Sequence, residues 1–397
     1  GSGGKRYATV VVGASNGGWN ASDCDYLCDG VDDQVEINQA IAALPAGGGE
    51  VLLLDGTYYL SGNLSLLRYS TLRGTNRDSV TLKRMTTSGY SEGAALLIGS
   101  YQAVIQDLSY NGNSTIFQSS TSGVYDILIG GGAKIKNIYI TSCADIAVYA
   151  EPVGILTEIG NCRFTAVGGP CVYADYGGEL LYHDCYAGAG IPLIKAFGQE
   201  HDLTPLQYPL SIHMTNVISH VGTGAVLFNG TGYCTVTNCT FSAIQMVNTV
   251  PTGSTSVERG RHILLGNCIN SGASESGIGI EFGNGVNNCV AIGNTFYSGA
   301  QSEPIQDNGQ NNIVYNGASS GQITLPSSGW SGSTQTVSAP GVTATSVVTT
   351  GPIPSNISSA MEFGVYCSGQ GNGTLTFTCT SAPSSSITYT YTSQGVF

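Results

Sequence analysis

The chain has 397 residues, and its 13 Lys and Arg against 26 Asp and Glu give a formal net charge of −13. Binding to duplex nucleic acid requires clustered cations, so this composition predicts no nucleic-acid partner. Glycine is abundant (56 residues), only 10% of residues are charged and 41% are hydrophobic, which favours a folded, β-rich protein with many tight turns. No apolar stretch approaches the roughly 20 residues of a membrane-spanning helix, so we expect no membrane insertion.

The N-terminal region, residues 1–60, combines strand patterns with one helical pattern. Residues 6–13 (YATVVVGA) are typical of a strand, and residues 50–60 (EVLLLDGTYYL) of two strands joined by a turn. Between them a helix is predicted to start at Asp32-Asp33, where Asp33 caps the first N–H groups and Glu36 reaches back in a capping box. Such a helix can cover the open end of a stack of sheets. Its predicted apolar side chains are Val35, Ile37, Ile41 and Leu44.

Residues 61–316 lose the helical period and repeat short β-branched strands between Gly, Asn and Ser turns. A repeat of 22 to 32 residues without a helix predicts a solenoid whose coils consist of strands and turns. Because equivalent residues of neighbouring coils lie about 4.8 Å apart, a recurring polar residue is predicted to form an amide ladder at a bend. This polar column is Asn137, Asn161, Asp184, Asn216, Asn238, Asn267 and Asn294.

A column of cysteines accompanies the polar column and is predicted to point into the coils. It represents either a metal or redox site or a stack of small buried hydrophobic residues, and the frequent burial of free Cys favours the stack. Cys24 and Cys28 have no second pair and no His nearby, so a zinc site is not indicated. We therefore expect no metal and no cofactor. The column comprises Cys162, Cys185, Cys239 and Cys268.

The C-terminal region, residues 317–397, differs in composition, being rich in Ser, Gly and Thr. Its strand patterns predict a separate antiparallel β-sandwich. Cys367 and Cys379 fall nearly opposite each other in a predicted hairpin, where they could form a disulfide or remain two inward-facing thiols. The predicted strands are residues 342–348, 363–366, 375–379 and 387–392.

Two parts of the sequence resemble a known family. Residues 25–38 (DYLCDGVDDQVEIN) with residues 42–60 (AALPAGGGEVLLLDGTYYL) resemble the N-terminal cap and first coil of pectate-lyase-like right-handed parallel β-helix proteins. Residues 338–392 resemble the small terminal β-domain that follows such helices in phage proteins. Segments of this kind are frequent in tail fibres and tailspikes of phages and prophages, especially of Gram-positive gut bacteria.

The resemblance implies a fold and a context. The fold is all-β: a right-handed parallel β-helix with an N-terminal α-helical cap, plus a C-terminal antiparallel β-sandwich. The context is a homotrimer in the virion tail, outside the cell, that binds a bacterial cell-surface glycan. Some relatives cleave that glycan and many only bind it.

Glycan hydrolysis requires two carboxylates that flank one bond, about 5–5.5 Å apart in retaining enzymes and about 6.5–9.5 Å apart in inverting ones. Neighbouring coils can supply either spacing. We select Glu200 and Asp202, a dense titratable cluster in the longest insertion, and Glu258 in another insertion, as candidate catalytic residues; a solvated loop is the alternative interpretation. Lyase chemistry is not favoured, because no Asp cluster suited to Ca²⁺ is evident. Further carboxylate candidates are Asp175, Glu179 and Glu281.

Tyrosines along neighbouring coils suggest a sugar-binding groove, because a Tyr ring stacks on sugar faces while its hydroxyl group binds water or sugar hydroxyls. Tyr is also a favoured strand residue, which leaves a purely structural interpretation open. The candidate carbohydrate-binding residues are Tyr173, Tyr176, Tyr182, Tyr186 and Tyr208.

The sequence thus predicts a phage or prophage receptor-binding protein that recognises bacterial surface polysaccharide, with depolymerisation left open. A secreted polysaccharide hydrolase or lyase and a non-catalytic cell-surface adhesin remain alternatives, since a polar, weakly charged coil surface fits all three.

Overall fold

The computed structural model describes residues 9–85, 96–98, 102–115, 125–175, 177–188, 192–197, 210–219, 225–247, 261–270, 278–297, 303–316 and 319–394. The chain forms two compact units. The first comprises Gly1–Ile263, Asn267–Asn288 and Phe296–Gln310, and the second comprises Leu264–Gly266, Cys289–Thr295 and Asn311–Phe397. No helix of the described residues is both long and apolar enough to cross a membrane.

Near its N-terminus, the first unit packs one helix against parallel strands. A short 3-10 helix, Ser15–Gly17, follows the first strand. The predicted helix and the two predicted strands after it are confirmed. The elements are β1 (Thr9–Ala14), β2 (Tyr26–Cys28), α1 (Gln34–Ala42), β3 (Gly49–Leu53), β4 (Gly56–Leu60), β5 (Leu64–Leu66), β6 (Ser70–Gly74), β7 (Val80–Arg84) and β8 (Leu96–Ile98).

Helix α1 buries Ile37, Ala40 and Ile41, whereas Val35 is 46% exposed and does not belong to its apolar side. The predicted capping box is wrong, because the carboxylate of Asp33 makes no capping bond to the helix. That carboxylate instead accepts the backbone N–H groups of Gly30 (2.8 Å) and Tyr59 (2.7 Å). Asp33 therefore ties the start of α1 to the strands beneath it.

The remaining coils consist of short strands. Those up to the end of the repeat are β9 (Val104–Asn111), β10 (Tyr125–Ile129), β11 (Lys134–Cys143), β12 (Ile146–Ala150), β13 (Thr157–Gly160), β14 (Arg163–Val167), β15 (Val172–Asp175), β16 (Gly178–His183), β17 (Tyr186–Ala187), β18 (Ile194–Phe197), β19 (Leu210–Thr215), β20 (Ile218–Ser219), β21 (Ala225–Asn229), β22 (Cys234–Thr237), β23 (Thr240–Phe241), β24 (Ala243–Val247), β25 (Ile263–Leu265), β26 (Cys268–Asn270), β27 (Ile278–Phe282), β28 (Val290–Tyr297), β29 (Glu303–Asp307) and β30 (Ile313–Asn316).

Parallel pairing between successive coils arranges the first unit's strands on three faces. The first face runs β1-β3-β6-β9-β11-β13-β16-β19-β22, and the second runs β4-β7-β9-β11-β14-β17-β20-β23-β26, with β9 and β11 long enough to take part in both. The third face is a separate ten-stranded sheet, β5-β8-β10-β12-β15-β18-β21-β24-β27-β29. Strands that return to pair in parallel with the preceding coil on three faces form a parallel β-helix, as the sequence predicts.

The interior of the coils is filled by alternate side chains of each strand. Tyr58, Tyr110, Phe164 and Phe228 are among the largest fully buried residues. A buried ion pair joins two coils: Arg84 Nη1 is 2.9 Å from Asp126 Oδ1, and the Tyr110 hydroxyl donates to the same carboxylate at 3.0 Å. A buried carboxylate is tolerated there because a guanidinium and a hydroxyl both bond to it.

The bend between the first and second faces is formed by Asn and Asp in the left-handed backbone conformation. Asn137, Asn161, Asp184, Asn216 and Asn238 have φ between 51° and 54°. Their side chains bond from coil to coil: Nδ2 of Asn161 donates to Asn137 (3.3 Å), that of Asn216 to Asp184 (2.9 Å) and that of Asn238 to Asn216 (2.6 Å). Short polar side chains adopt this conformation more readily than others do. The predicted ladder is confirmed for the step from Asn137 to Asn161 and for the steps from Asp184 through Asn216 to Asn238.

The prediction for the last coils is shifted by one residue. Gly266 (φ 61°) and Gly293 (φ 67°) take the left-handed conformation there. Asn267 is 1% exposed and lies inside the coil, where its Oδ1 accepts the backbone N–H of Cys239 at 2.9 Å. Cys268 pairs in register with Thr240 and so leaves the inward column. Cys162, Cys185 and Cys239 are buried free thiols, as the hydrophobic-stack interpretation predicts.

The second unit contains the antiparallel β-sandwich. Its two three-stranded sheets are β31-β36-β33 and β32-β35-β34. They share one core, in which the rings of Phe377 and Tyr389 lie 4.8 Å apart. Short 3-10 helices occur at Ser327–Gly329 and Pro354–Asn356. The elements are β31 (Ser319–Leu325), β32 (Thr334–Ser338), β33 (Val347–Pro352), α2 (Ile357–Glu362), β34 (Tyr366–Gly371), β35 (Thr374–Thr378) and β36 (Ile387–Gln394).

Two of the predicted C-terminal strands are displaced. Residues 342–348 overlap only the start of β33, and residues 363–366 lie mostly between α2 and β34. The predicted hairpin is confirmed, since β34 pairs antiparallel with β35. Cys367 and Cys379 are both free, and Cys367 is in register with Phe377 rather than with Cys379.

Candidate functional site

The outer surface of the third face carries a continuous row of stacked aromatic rings. The ring centroids of Tyr125 and Tyr149 are 4.9 Å apart, those of Tyr149 and Tyr173 are 5.1 Å apart, and those of Tyr173 and Phe197 are 5.3 Å apart. We call these four residues the aromatic row. All four are partly exposed; Tyr149, Tyr173 and Phe197 occupy outward positions of β12, β15 and β18, and Tyr125 is the first residue of β10. Offset stacking at this spacing stabilises neighbouring coils.

The alternation of side chains along each strand explains the outward position. In β12 and β15, Val148 and Ala150 point inward opposite Val172 and Ala174, and all four are buried. The residues between them in each strand, Tyr149 and Tyr173, therefore point outward and pair in register.

Two carboxylates end these same strands. Glu151 follows Ala150, and Asp175 follows Ala174, with which Ala150 is in register. They thus hold equivalent positions on adjacent coils, whose backbones lie about 4.8 Å apart. Asp175 is 5% exposed, and its Oδ2 accepts the Tyr149 hydroxyl at 3.2 Å. We call Glu151 and Asp175 the acid pair.

Burial and a neighbouring charge act on the protonation of Glu151 and Tyr149. Partial burial, and then the nearby charge of Asp175, raise the pKa of Glu151 above its ordinary value. Burial and the same charge raise the pKa of Tyr149, so its phenol stays protonated and can donate to Asp175. A carboxyl group whose pKa is raised holds its proton more readily and can act as an acid.

The tyrosines selected from the sequence separate into different positions. Tyr173 belongs to the aromatic row, and Tyr186 lies on the second face beside Arg163. Tyr182 is fully buried, and its hydroxyl has no hydrogen-bond partner among the described residues. The prediction is therefore wrong for Tyr182, because an inward position of β16 keeps its ring away from any glycan. Tyr176 and Tyr208 lie outside the described residues.

Glu200, Asp202 and Glu258 also lie outside the described residues, and their proposed roles stay predictions. In the sequence, the segment with Glu200 and Asp202 directly follows β18, and the segment with Glu258 follows β24. Both strands belong to the third face. Of the further candidates, Asp175 is in the acid pair, while Glu281 accepts a hydrogen bond from Gln245 at 2.7 Å.

Glu151, Tyr149 and Tyr125 are functional candidates that the sequence reasoning missed. A usable signal existed for Tyr149, which precedes Tyr173 by the same 24-residue step that separates Asn137 from Asn161. Extending the coil alignment from the polar column to the third face would have brought them together.

One group of potential metal ligands occurs in the described part of the chain. Ligand atoms of Cys28, Asp33 and Glu36 lie within 4.8 Å of one another beneath α1. Burial and neighbouring carboxylates raise the pKa of the Cys28 thiol, and the carboxylate of Asp33 already accepts two backbone N–H groups. A protonated thiol is a poor metal ligand, so this chemistry favours a structural role in the cap.

No protein-family model and no curated protein matches the sequence. Similar solved structures include the tailspike protein gp49 of Acinetobacter baumannii bacteriophage Fri1, a capsular polysaccharide depolymerase, at 11% identity over 99% of this chain and 87% of that one (TM-score 0.43). The tailspike protein of E. coli bacteriophage HK620 in complex with pentasaccharide has 11% identity over 92% and 90% (TM-score 0.41). The A-module of mannuronan C-5 epimerase AlgE4 from Azotobacter vinelandii has 16% identity over 76% and 99% (TM-score 0.39). The fold assignment rests on the strand pairing of this chain itself.

Proposed function

We propose that the chain is a receptor-binding protein of a phage or prophage tail fibre or tailspike, acts outside the cell, and recognises bacterial surface polysaccharide along the third face. The observation that carries this proposal is the acid pair beside the aromatic row. The resemblance of the N-terminal cap and the C-terminal domain to phage β-helix proteins supports the biological context.

The aromatic row and the acid pair offer complementary contacts to a sugar. The ring faces of Tyr149 and Tyr173 are covered by their neighbours in the row, so they offer ring edges and hydroxyl groups rather than open faces. The carboxylates of Glu151 and Asp175 accept hydrogen bonds from sugar hydroxyls. A shallow site of apolar edges and a few polar groups suits an extended glycan better than a small enclosed ligand.

The acid pair also supports a hydrolytic step. A protonated Glu151 would donate its proton to the glycosidic oxygen as the bond to the anomeric carbon breaks, and Asp175 would attack that carbon. Water would then release the sugar by attack on the covalent intermediate, with Glu151 taking the water's proton. The backbones of adjacent coils lie about 4.8 Å apart, a spacing that allows the short carboxyl separation of retaining enzymes.

Binding is tested with an immobilised panel of purified surface polysaccharides from Gram-positive gut bacteria. We expect Tyr173→Ala to weaken binding to the recognised polysaccharide, because it removes a ring edge and a hydroxyl beside the acid pair. Tyr233→Ala, which removes a 41% exposed tyrosine directly before β22 of the first face, is the matched control. Wild-type protein that binds no member of a panel containing its host's polysaccharide would refute the proposed function.

Cleavage is tested by the release of reducing ends from the bound polysaccharide. We expect Glu151→Gln and Asp175→Asn to lower the rate at least about 100-fold while binding persists. Glu200→Gln, Asp202→Asn and Glu258→Gln test the insertion segments in parallel. Loss of cleavage in one of these three variants, with Glu151→Gln fully active, would place the catalytic carboxylate in that segment instead of in the acid pair. Absence of cleavage by the wild type would refute the hydrolytic step and retain only the binding function.

We also propose that the protein is a homotrimer, and the C-terminal domain supports this proposal. Residues 319–394 contain one charged residue, Glu362, although the whole chain has a net charge of −13. Met361 is 77% exposed beside a groove of about 500 Å³ lined by Val365, Tyr366 and Tyr389. Copies can approach each other here with little charge repulsion, and interface cores are poor in charged residues.

The oligomeric state is measured by light scattering coupled to size exclusion. We expect a mass near three times 40.9 kDa, and we expect Met361→Lys to shift it toward 40.9 kDa. Ser385→Lys, at an exposed position of the same domain, controls for added charge. A wild-type mass of 40.9 kDa would contradict the proposed trimer.

A further inference from the structure

The second face carries an exposed arginine held between two tyrosines. Tyr139, Arg163 and Tyr186 are in register on the adjacent strands β11, β14 and β17. The guanidinium carbon of Arg163 lies 5.4 Å from the ring centroid of Tyr139 and 5.5 Å from that of Tyr186. Both distances are within the cation–π range. The two rings therefore restrict the Arg163 side chain while it remains open to solvent.

The positive charge of Arg163 is not neutralised within the described part of the chain, where no carboxylate lies within ion-pair distance of it. The nearby acids have other partners. Glu158 is 2.9 Å from Lys136 and also contacts Lys134, and Asp184 is bonded to His183 at 2.7 Å. The five guanidinium N–H donors of Arg163 are thus available to a ligand.

Neutral hydrogen-bonding groups surround the arginine on the same surface. The Tyr139 hydroxyl is 2.8 Å from Thr165 Oγ1, which donates to Thr141 at 3.1 Å. On the other side, Asn161 belongs to the ladder at the bend. One fixed cation flanked by hydroxyl and amide groups suits a sugar that carries an anionic substituent.

We propose that Arg163 binds the anionic group of a charged bacterial surface polymer, either the carboxylate of an acidic sugar or a phosphodiester. A guanidinium recognises both groups through two parallel N–H bonds, a geometry that lysine cannot reproduce. This inference rests on the proposed polysaccharide-binding function. It specifies in addition that the ligand is anionic and that it contacts the second face. The overall charge of −13 repels anionic polymers, so binding of one needs a local cation.

The test uses purified bacterial surface polymers of three kinds: neutral polysaccharides, uronate-bearing polysaccharides and phosphodiester-linked teichoic acids. Affinity is measured for wild type, Arg163→Gln and Arg163→Lys. The matched control is Arg68→Gln, which removes another exposed arginine that lies over a tyrosine ring, Tyr69. We expect binding of an anionic polymer, a loss of roughly 10- to 100-fold in Arg163→Gln, partial retention in Arg163→Lys and no change in the control.

Chemical treatment of the bound polymer distinguishes the two sources of charge. Reduction of the carboxyl groups abolishes the Arg163-dependent part of binding if the ligand is a uronate, and cleavage of the phosphodiesters does so if it is a teichoic acid. Binding of neutral polymers alone, or an Arg163→Gln affinity equal to wild type, overturns this inference while leaving the proposed function intact. Failure to bind any polymer overturns both.

Discussion

Acid is expected to destabilise the β-helix through one buried histidine. His262, immediately before β25, is 3% exposed, and its Nδ1 has no hydrogen-bond partner among the described residues. Burial lowers its pKa from 6.5 to about 4. The unfolded chain therefore binds a proton between pH 6.5 and 4 where the folded chain does not, so the free energy of unfolding falls as pH falls through this window. At about 1.4 kcal/mol per tenfold difference in proton affinity, the total loss is about 3 kcal/mol.

The measurement is urea unfolding of wild type and His262→Leu at pH 7, 5 and 4. Other groups also titrate in this range, so the informative quantity is the difference between the two proteins. We expect this difference to change by about 3 kcal/mol from pH 7 to pH 4 in favour of the variant. His213→Leu, at a partly exposed position where the imidazole bonds to Thr235, controls for loss of a surface histidine. Parallel pH profiles for wild type and His262→Leu would refute the reasoning.

Three further predictions concern the interior and the bend. Arg84→Leu is expected to cost about 3–5 kcal/mol in urea unfolding, because it leaves the buried Asp126 carboxylate without its cation; a cost below 1 kcal/mol would contradict this. Asn216→Ala should cost about 1–2 kcal/mol and Asn216→Gly less, because glycine tolerates the left-handed backbone while both lose the side-chain bonds; equal costs would argue against backbone strain. Cys185, whose pKa is raised by burial, should resist Ellman's reagent at pH 8 until the protein is unfolded, and rapid labelling of the native protein would be inconsistent with its position.

The polar column could be predicted from the sequence because its cause is local. A tight bend that requires the left-handed backbone conformation favours Asn or Asp at that position. Asn161 and Asn216 therefore indicate the bend from the sequence alone, without knowledge of any distant contact. At Asn267 the same residue type leads to a wrong prediction. Its side chain accepts a hydrogen bond inside the coil, and Gly266 is the residue that adopts the left-handed conformation at the bend. Residue type alone does not separate these two uses of an amide.

The candidate site could be predicted only in part because outward and inward positions alternate. A shift of one residue reverses which side chains face solvent, and residue type alone does not reveal that the Tyr182 ring points inward. Tyr173 is partly exposed in the aromatic row, its role in sugar binding stays a prediction, and the register of β12 with β15 places Tyr149 beside it. In the C-terminal domain, the sequence predicts no element at the short helix α2, which lies just before the predicted strand 363–366, because six residues are too few to display a helical period.

The constancy of the bend has a consequence for how such a protein can diversify. In every coil from Asn161 to Asn238, two residues connect the first-face strand to the second-face strand, whatever the length of the coil. Differences in coil length are confined to the segments that enter or leave the third face. An exchange of those segments therefore leaves the strand register, and the inward or outward direction of each side chain, unchanged in the later coils. The coils thus form a constant scaffold whose connecting segments can be exchanged, and engineering of new recognition segments should begin after β18 and β24.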